Sequence, residues 1–332
     1  MECLLILSTQ FVQAAPIKLP SEVDESKEVQ LLLRQMQSAA QHLNFSGIFV
    51  YQQGVHVRTS RITHLLDGKN EVEKLEILDG PPREYVRNND EITCYLPDAR
   101  ILLIENKMAR DAFPNIVAGN PVGLAVFYLL KRGQMSQVAG HDTQELVLEP
   151  KDNLRYGYRL SAEKSTGLLL KAQTVNEKNE VIEQITFTKI QIGNINPARL
   201  RPTFQNTSGW HVENSGVAQT DAAGWQVTST PPGFKRISAI KRTILNFAAG
   251  TTKAAGEPVA TRDVIQLVYS DGVAALSVFI EPASRSRADE FMQQGAINIV
   301  AKRQGEFWLT IVGEVPASTV RQVANSIEFK IK

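Results

Sequence analysis

The sequence of 332 residues predicts an α+β protein built of two units. Short alternating apolar runs, separated by tight turns, recur on both sides of residues 78–98, which is typical of an antiparallel sheet. An amphipathic stretch precedes these runs, as expected for a helix that covers the sheet. Residues 194–223 are rich in Gly, Pro and Asn and divide the chain. A larger unit is therefore expected before this segment and a smaller one after it.

Residues 78–98, LDGPPREYVRNNDEITCYLPD, are predicted to form a β-hairpin. Residues 79–82 and 88–90 supply turns, because Asn, Asp and Gly tolerate the left-handed backbone of tight turns. Ile92, Cys94 and Leu96 share one face of the second strand. With hairpins of the same kind on either side, this pattern predicts a sheet with one apolar face, which a helix or a ligand must cover.

The helix before the sheet is predicted from apolar residues at three- and four-residue spacing, which are Val29, Leu32, Leu33, Met36, Ala40 and Leu43. Asn44 is a suitable stop. The apolar residues form a single stripe, so the helix is expected to pack on the sheet.

Strands of the larger unit are predicted at residues 47–52, 55–66, 72–78, 83–87, 91–96, 100–105, 138–148, 156–161, 168–176 and 180–192. Most connections are short, so neighbouring strands should pair antiparallel in a meander. The apolar residues at 106–119 recur at neither helical nor strand spacing, so this segment is predicted to be a loop. Residues 121–131, PVGLAVFYLLK, are predicted to be a short apolar helix with proline in its first turn. It is either a core helix or the lining of a cavity.

The smaller unit is predicted to contain strands at residues 237–247, 261–270, 274–281, 296–303 and 306–313. Residues 316–325 predict a closing helix, with Val320, Val323, Ala324 and Ile327 on one side. Residues 288–293 are expected to form a helical turn.

Residues 1–15 resemble a secretory signal peptide, with an apolar run followed by small residues. The segment lacks the usual Lys or Arg before the run, which leaves a disordered N-terminus as the alternative. After cleavage, Cys94 is the single remaining cysteine, so no internal disulfide is expected. Its strand position predicts a buried, structural role.

Charge and motifs exclude several functions. The chain has 36 Lys and Arg against 35 Asp and Glu, so no strong field favours nucleic acid as a partner. The sequence contains no GxSxG elbow, HExxH pair, P-loop or dinucleotide fingerprint. We therefore predict a protein that is not an enzyme and needs no metal or cofactor. A hydrolase with an unrecognised site is the alternative.

Several motifs together resemble the RseB/MucB family of periplasmic regulators of the sigma-E (AlgU) envelope-stress response. They are GIFVYQ, ITHLLDG, the hairpin of residues 78–98, WQVTSTPPGF and, above all, YSDGVAALSVFIEP at residues 269–282. The resemblance runs in matching order through nearly all of the mature chain. It implies a large unclosed antiparallel β-barrel like that of the lipoprotein carriers LolA and LolB at residues 27–193. It also implies a linker at 194–223 and a smaller C-terminal α+β domain at 224–332.

The resemblance also implies a function. A member of this family is a negative regulator in the Gram-negative periplasm. It binds the periplasmic part of the anti-sigma factor RseA or MucA and shields it from site-1 proteolysis. Lipid or lipopolysaccharide fragments that enter the large domain would favour release. The resemblance leaves homo-oligomer formation open. The alternative is a periplasmic lipid or lipoprotein carrier of the LolA/LolB type.

Two sets of candidate site residues follow. Composition predicts a lid at residues 107–120 and a lipid cavity lined by Phe49, Tyr51, Phe113, Val126, Phe127, Tyr128 and Leu129. Partner contact is predicted on the small domain and the linker, because the WxVxxxPPGF and SDG motifs separate this family from single-domain carriers. The predicted partner-binding residues are Trp225, Phe234, Arg236, Asp271, Gly272 and Phe279.

Overall fold

The computed structural model describes residues 22–106, 123–215, 217–245, 261–283 and 287–330. The predicted signal peptide, the predicted lid and Phe113 lie outside these residues. The described helices are α1 (Glu22–His42), α2 (Leu124–Phe127) and α3 (Ala317–Asn325). Within the described ranges, no helix has the length and apolar character needed to cross a membrane.

The first sheet contains twelve strands in the described part of the chain. They are β1 (Phe45–Gln53), β2 (His56–Asp67), β3 (Asn70–Ile77), β4 (Glu84–Asn88), β5 (Glu91–Leu96), β6 (Ile101–Asn106), β7 (Tyr128–Val138), β8 (His141–Pro150), β9 (Gly157–Glu163), β10 (Leu169–Val175), β11 (Val181–Ile192) and β12 (His211–Ser215). Their order in the sheet is β12-β6-β5-β4-β3-β2-β1-β11-β10-β9-β8-β7. The two outer strands, β12 and β7, are not neighbours, so the sheet is unclosed. The predicted antiparallel meander is confirmed, and β12 adds a parallel strand beside β6.

The second sheet contains seven described strands. They are β13 (Val217–Gln219), β15 (Lys235–Leu245), β16 (Thr261–Ser270), β17 (Ala275–Pro282), β18 (Glu290–Gln294), β19 (Ile297–Gln304) and β20 (Phe307–Gly313). Two further short strands, β14 (Trp225–Val227) and β21 (Ile327–Phe329), pair with each other. The predicted α+β class, with a large unclosed sheet and a separate smaller sheet, is confirmed.

Helix α1 packs on one face of the first sheet. Its Val29, Leu33 and Met36 are buried with residues of β7 to β10, and Ala39 is buried beside Phe45 of β1. The predicted amphipathic helix is thus confirmed, with Ala39 in place of Ala40 as a buried position. Each fully buried Leu or Val contributes about 1.5–3 kcal/mol of transfer free energy.

The smaller core lies between the second sheet and α3. Val320, Val323 and Ala324 of α3 pack against buried apolar side chains of the sheet, among them Leu276 and Leu309. The prediction of a closing helix is confirmed. Buried residues alternate with partly buried ones along much of β17 and β20, as expected for a sheet that packs one face against a helix.

Two local predictions were wrong. Of the helix predicted at residues 121–131, the described residues 123–131 contain an α-helix only at Leu124–Phe127, and from Tyr128 the chain continues as β7, since this segment pairs with β8. A continuous apolar run does not distinguish a buried helix from a buried strand. The helical turn predicted at residues 288–293 is instead β18, paired with β19. The predicted linker at 194–223 carries β12 and β13.

Candidate functional site

The turn between β16 and β17 is built by one carboxylate. Asp271 Oδ1 accepts hydrogen bonds from the backbone N–H groups of Val273 (3.0 Å) and Ala274 (2.9 Å). Ser270 Oγ accepts another from the N–H of Gly272, which has a φ of 106° that favours glycine. The SDG motif therefore has a local role, since its acid and hydroxyl satisfy the backbone donors of the turn.

The second oxygen of the same carboxylate joins the small domain to the large one. Asp271 Oδ2 accepts hydrogen bonds from Arg155 Nη1 (2.6 Å) and from the hydroxyl of Tyr128 (3.2 Å). Arg155 also donates through Nε to Asp152 (3.0 Å) and through Nη2 to the carbonyl of Pro232 (2.7 Å). The side chains of Arg155 and Asp271 are fully buried. Such a charge pair is tolerated inside a protein because hydrogen bonds satisfy it.

Aromatic rings surround the Arg155 guanidinium. Its central carbon lies 4.7 Å from the ring centroid of Phe127 and 5.6 Å from those of Tyr128 and Phe234. Cations in this position are attracted by the electron-rich ring face. A Cβ atom at Gly233, on the small domain, would overlap the Phe127 ring, so the glycine permits the close approach.

The protonation states in this contact follow from burial and charge. Burial raises the pKa of Tyr128 well above its usual value, and the Asp271 carboxylate raises it further. Burial by itself would lower the pKa of Arg155. Hydrogen bonds to Asp152 and the charge of Asp271 outweigh this effect, and the pKa of Arg155 is raised. Arg155 is therefore charged and Tyr128 protonated, so both donate to Asp271.

A second polar contact joins the domains around Glu183 of β11. Burial raises the pKa of Glu183 to about 7, and the Glu314 carboxylate of the small domain adds to the shift. Gln53 Nε2 donates to Glu183 Oε2 at 3.4 Å, and Tyr51 also hydrogen-bonds to this carboxyl group. The turn at Gly295 lies against Gln53, so the small domain closely approaches the end of β1.

Single hydrogen bonds also cross between the domains. Thr319 Oγ1 donates to the Leu154 carbonyl at 2.9 Å, and Asn298 Nδ2 donates to the Tyr156 hydroxyl at 3.0 Å. Beside them runs a cleft of about 850 Å³. Both domains line it, with residues that include Lys151, Asp152, Arg155, Tyr156, Gln293, Pro316 and Ser318.

Most of the predicted partner-binding residues take part in packing. Trp225 is buried against Phe307 and Phe329, with ring centroids 5.1 and 4.9 Å away. Phe234 is buried near Arg155, and Asp271 lies in the domain contact. Gly272 forms the turn, Phe279 is half-buried and Arg236 is exposed. A direct role of these residues in partner binding stays a prediction.

The described residues predicted to line a lipid cavity lie in two different core clusters or at the surface. Phe49 and Tyr51 belong to the cluster around Phe45, with Phe49 edge-on to Phe187 at 5.7 Å. Phe127 and Tyr128 belong to the cluster under α1 and at the domain contact. Val126 is 65% exposed, and Leu129 is half-buried. A shared lipid cavity also stays a prediction.

Sequence reasoning missed Arg155 and Val273. Arg155 lies in an ordinary polar turn, PKDNLRYG, where a lone arginine is normally solvated. Val273 follows the SDG turn and packs into the core cluster of the large domain. The predicted strands at residues 261–270 and 274–281 left Asp271 and Gly272 in their connection, and nothing in the sequence indicated that this connection enters the other domain.

Two family models match the chain. The MucB/RseB N-terminal domain matches residues 28–204, and the MucB/RseB C-terminal domain matches residues 219–328. The chain belongs to the MucB/RseB family.

Relatives and solved structures of the MucB/RseB family resemble the chain over most of its length. It is 31% identical to the sigma factor AlgU regulatory protein MucB of Pseudomonas aeruginosa over 304 residues, which is 89% of each chain. It is 26% identical to the sigma-E factor regulatory protein RseB of Salmonella typhimurium over 311 residues, which is 90% of each. The structure resembles MucB in the MucA/MucB complex of Pseudomonas aeruginosa, with a TM-score of 0.69 and 27% identity. That likeness covers 92% of this chain and 100% of the other.

Proposed function

We propose that this protein binds the periplasmic part of an anti-sigma factor of the MucA/RseA kind and so restrains a sigma-E response. One observation carries the proposal. The likeness to MucB solved with MucA covers 92% of this chain at 27% identity, and so includes both domains. The curated relatives are named as regulatory proteins. The proposed role is therefore binding without turnover, in the periplasm, after export by the N-terminal segment.

The small domain is proposed to carry the direct partner contact. Arg236 is exposed on β15, and Phe279 is half-buried on β17, so both are accessible. Trp225, Phe234 and Asp271 would act indirectly, because their side chains pack against other parts of the chain. They would hold the small domain in the orientation that the partner binds.

Lipid or lipopolysaccharide is proposed to act on the large domain and to favour release of the partner. A ligand shifts an equilibrium only through different affinities for two states. We propose that joined and separated domains are the two states, because the contact contains an ion pair and hydrogen bonds that water can replace when the domains part. Bound partner would be shielded from site-1 proteolysis, and lipid-induced release would expose it.

The test of partner binding is a pull-down with the periplasmic segment of the anti-sigma factor, with and without lipopolysaccharide, at several salt concentrations. We expect retention by the wild-type protein and release when lipopolysaccharide is added. Arg236→Glu should weaken retention, and Arg58→Glu, at an exposed site on the large domain, should leave it unchanged. Absence of retention at low salt would contradict the proposed function.

The lipid cavity is tested separately with a photo-crosslinking fatty acid. Labels are expected on the segment that contains Phe127, Tyr128 and Leu129. Labels confined to other parts of the chain would reject this lining and leave the partner proposal intact. Lipoprotein transfer between membranes in vitro, without any effect on the anti-sigma factor, would favour a carrier instead.

A further inference from the structure

A groove on the outer face of the large sheet has a charge pattern that neither proposed ligand site uses. Ile48 of β1 lies opposite Arg61 of β2 and Lys189 of β11, so these three side chains share a face. Phe49 and Ile62 project to the other face, where they pack in the cluster that includes Ala39 of α1. The groove and α1 are therefore on opposite sides of the sheet.

The segment after β11 forms the second wall of the groove. Asn196 caps a short turn at Pro197–Leu200 by accepting a hydrogen bond from the N–H of Ala198. Ile195 and Leu200 are buried, which anchors this turn. The space between the segment and the sheet has a volume of about 840 Å³. That volume lies within the range of roughly 300–1,000 Å³ typical of small-molecule sites.

A buried lysine holds this segment against the sheet. Lys74 Nζ donates to the Arg201 carbonyl (2.9 Å) and to Thr203 Oγ1 (3.0 Å). Its charge is balanced by Glu76 and Glu84, at 3.3 and 3.1 Å. Glu84 also accepts a hydrogen bond from the N–H of Thr203. The backbone that carries the basic residues of this wall is therefore held in place before any ligand binds.

The groove has more cationic than acidic residues. Its lining includes five cationic side chains and one carboxylate, that of Glu76. Glu76 lies near both Lys74 and Arg61, at 3.3 and 3.5 Å. The side chains of Lys189, Arg199 and Arg201 are exposed, and none forms an ion pair with another described residue. Three cations thus face the groove without a carboxylate partner in the described chain.

We propose that this groove binds a ligand that carries phosphate groups. Guanidinium groups match phosphate oxygens through paired N–H donors, and a lysine adds a further charge. Arg199 and Arg201 lie on the segment wall, and Lys189 lies on the sheet wall, so a phosphate between the walls would meet cations from both sides. Ile48, Ala198 and Pro202 provide apolar surface for the remainder of the ligand.

This site goes beyond the proposed function, and its test uses the purified protein without the anti-sigma factor. Inorganic pyrophosphate is titrated into the full chain by calorimetry. We expect saturable binding that weakens as salt is raised, because salt screens exposed charges. Arg199→Gln combined with Arg201→Gln should weaken binding at least about tenfold, and Lys189→Gln should weaken it independently. Arg34→Gln combined with Arg58→Gln, at exposed sites elsewhere, is the matched control and should bind as wild type does.

Vesicles distinguish the sources of the phosphate. Co-sedimentation with phosphatidylglycerol vesicles, but not with phosphatidylcholine vesicles, and its loss in the Arg199/Arg201 variant would assign the site to an anionic lipid headgroup. Pyrophosphate binding without vesicle binding would assign it to a soluble phosphate compound. A polyglutamate peptide that binds more tightly than pyrophosphate would overturn the proposal in favour of an acidic protein segment. Absence of both pyrophosphate binding and vesicle binding would also overturn it, as would binding that is unchanged in the groove variants while their circular dichroism is native.

Discussion

Arg155 Nη1 lies 2.6 Å from Asp271 Oδ2, and neither side chain is exposed to solvent. The two residues belong to different domains and are 116 positions apart in the chain. Asp271 simultaneously holds the turn between β16 and β17 through its other oxygen. One carboxylate thus couples the local fold of the small domain to its attachment to the large domain.

We predict that Asp271→Asn lowers the free energy of unfolding by up to about 3–5 kcal/mol, because it removes the buried carboxylate partner of Arg155 and leaves only the partly exposed Asp152 to balance that charge. Urea denaturation followed by tryptophan fluorescence measures this change. Glu149→Gln is the control, since the 2.6 Å ion pair between Lys131 and Glu149 is exposed. It should cost less than about 1 kcal/mol. Equal losses in the two variants would show that the buried pair has no special role.

We predict that Gly233→Ala destabilises the protein more than Gly140→Ala. Both glycines have positive φ, 87° and 81°, so both substitutions carry similar backbone strain. The added methyl group would overlap the Phe127 ring at Gly233, but it would meet open space at Gly140. Overpacking of this kind costs about 1–3 kcal/mol beyond the strain. Thermal unfolding of both variants measures the difference, and indistinguishable midpoints would contradict the close contact.

We predict a loss of stability as pH rises through the titration of Glu183. Its pKa in the folded protein is about 7, against an ordinary value of 4.5. Between these values the unfolded chain has already lost the proton that the folded protein retains. The stabilisation is therefore complete below about pH 4.5 and is lost as pH rises to about 7. Urea midpoints measured from pH 4.5 to 8 should fall less steeply in Glu183→Gln than in wild type.

The control for this pH dependence is Glu180→Gln. Glu180 is exposed, and its carboxyl group accepts a hydrogen bond from Asn176. Its profile should follow that of the wild type. A Glu183→Gln profile as steep as the wild-type profile would assign the pH dependence to other groups, of which Glu314 is the first candidate because burial raises its pKa as well.

We predict that the Cys94 thiol is unreactive in the folded protein. The residue is 7% exposed, and burial raises the pKa of its thiol. Thiolate is the reactive form, so both effects slow modification. In a Cys3→Ser variant, labelling by a thiol reagent should become fast only over the urea range in which the protein unfolds. The control combines Ser318→Cys and Cys94→Ser in the same Cys3→Ser background. Residue 318 is exposed, so its thiol should be labelled at once in the folded protein. Rapid labelling of native Cys94 would contradict its place in the core.

The antiparallel sheets and the helices α1 and α3 could be predicted from the sequence because their signals are local. Apolar residues alternate in strands or recur at helical spacing, and Gly, Asn and Asp mark the turns. The prediction failed where no local signal exists. Residues 128–131 are strand because β8 pairs with them, and β12 lies beside β6 despite its distance in the chain.

At the candidate site, too, local features could be predicted from the sequence and long-range contacts could not. The sequence predicted strands at residues 261–270 and 274–281, which leaves Asp271 and Gly272 in their short connection, and its motifs indicated the MucB/RseB family. Only the tertiary structure decided that this turn contacts Arg155 and Tyr128, and that Trp225 and Phe234 are buried. The physical reason is that an ion pair across 116 positions depends on how two domains pack, and no periodicity in the chain records that packing.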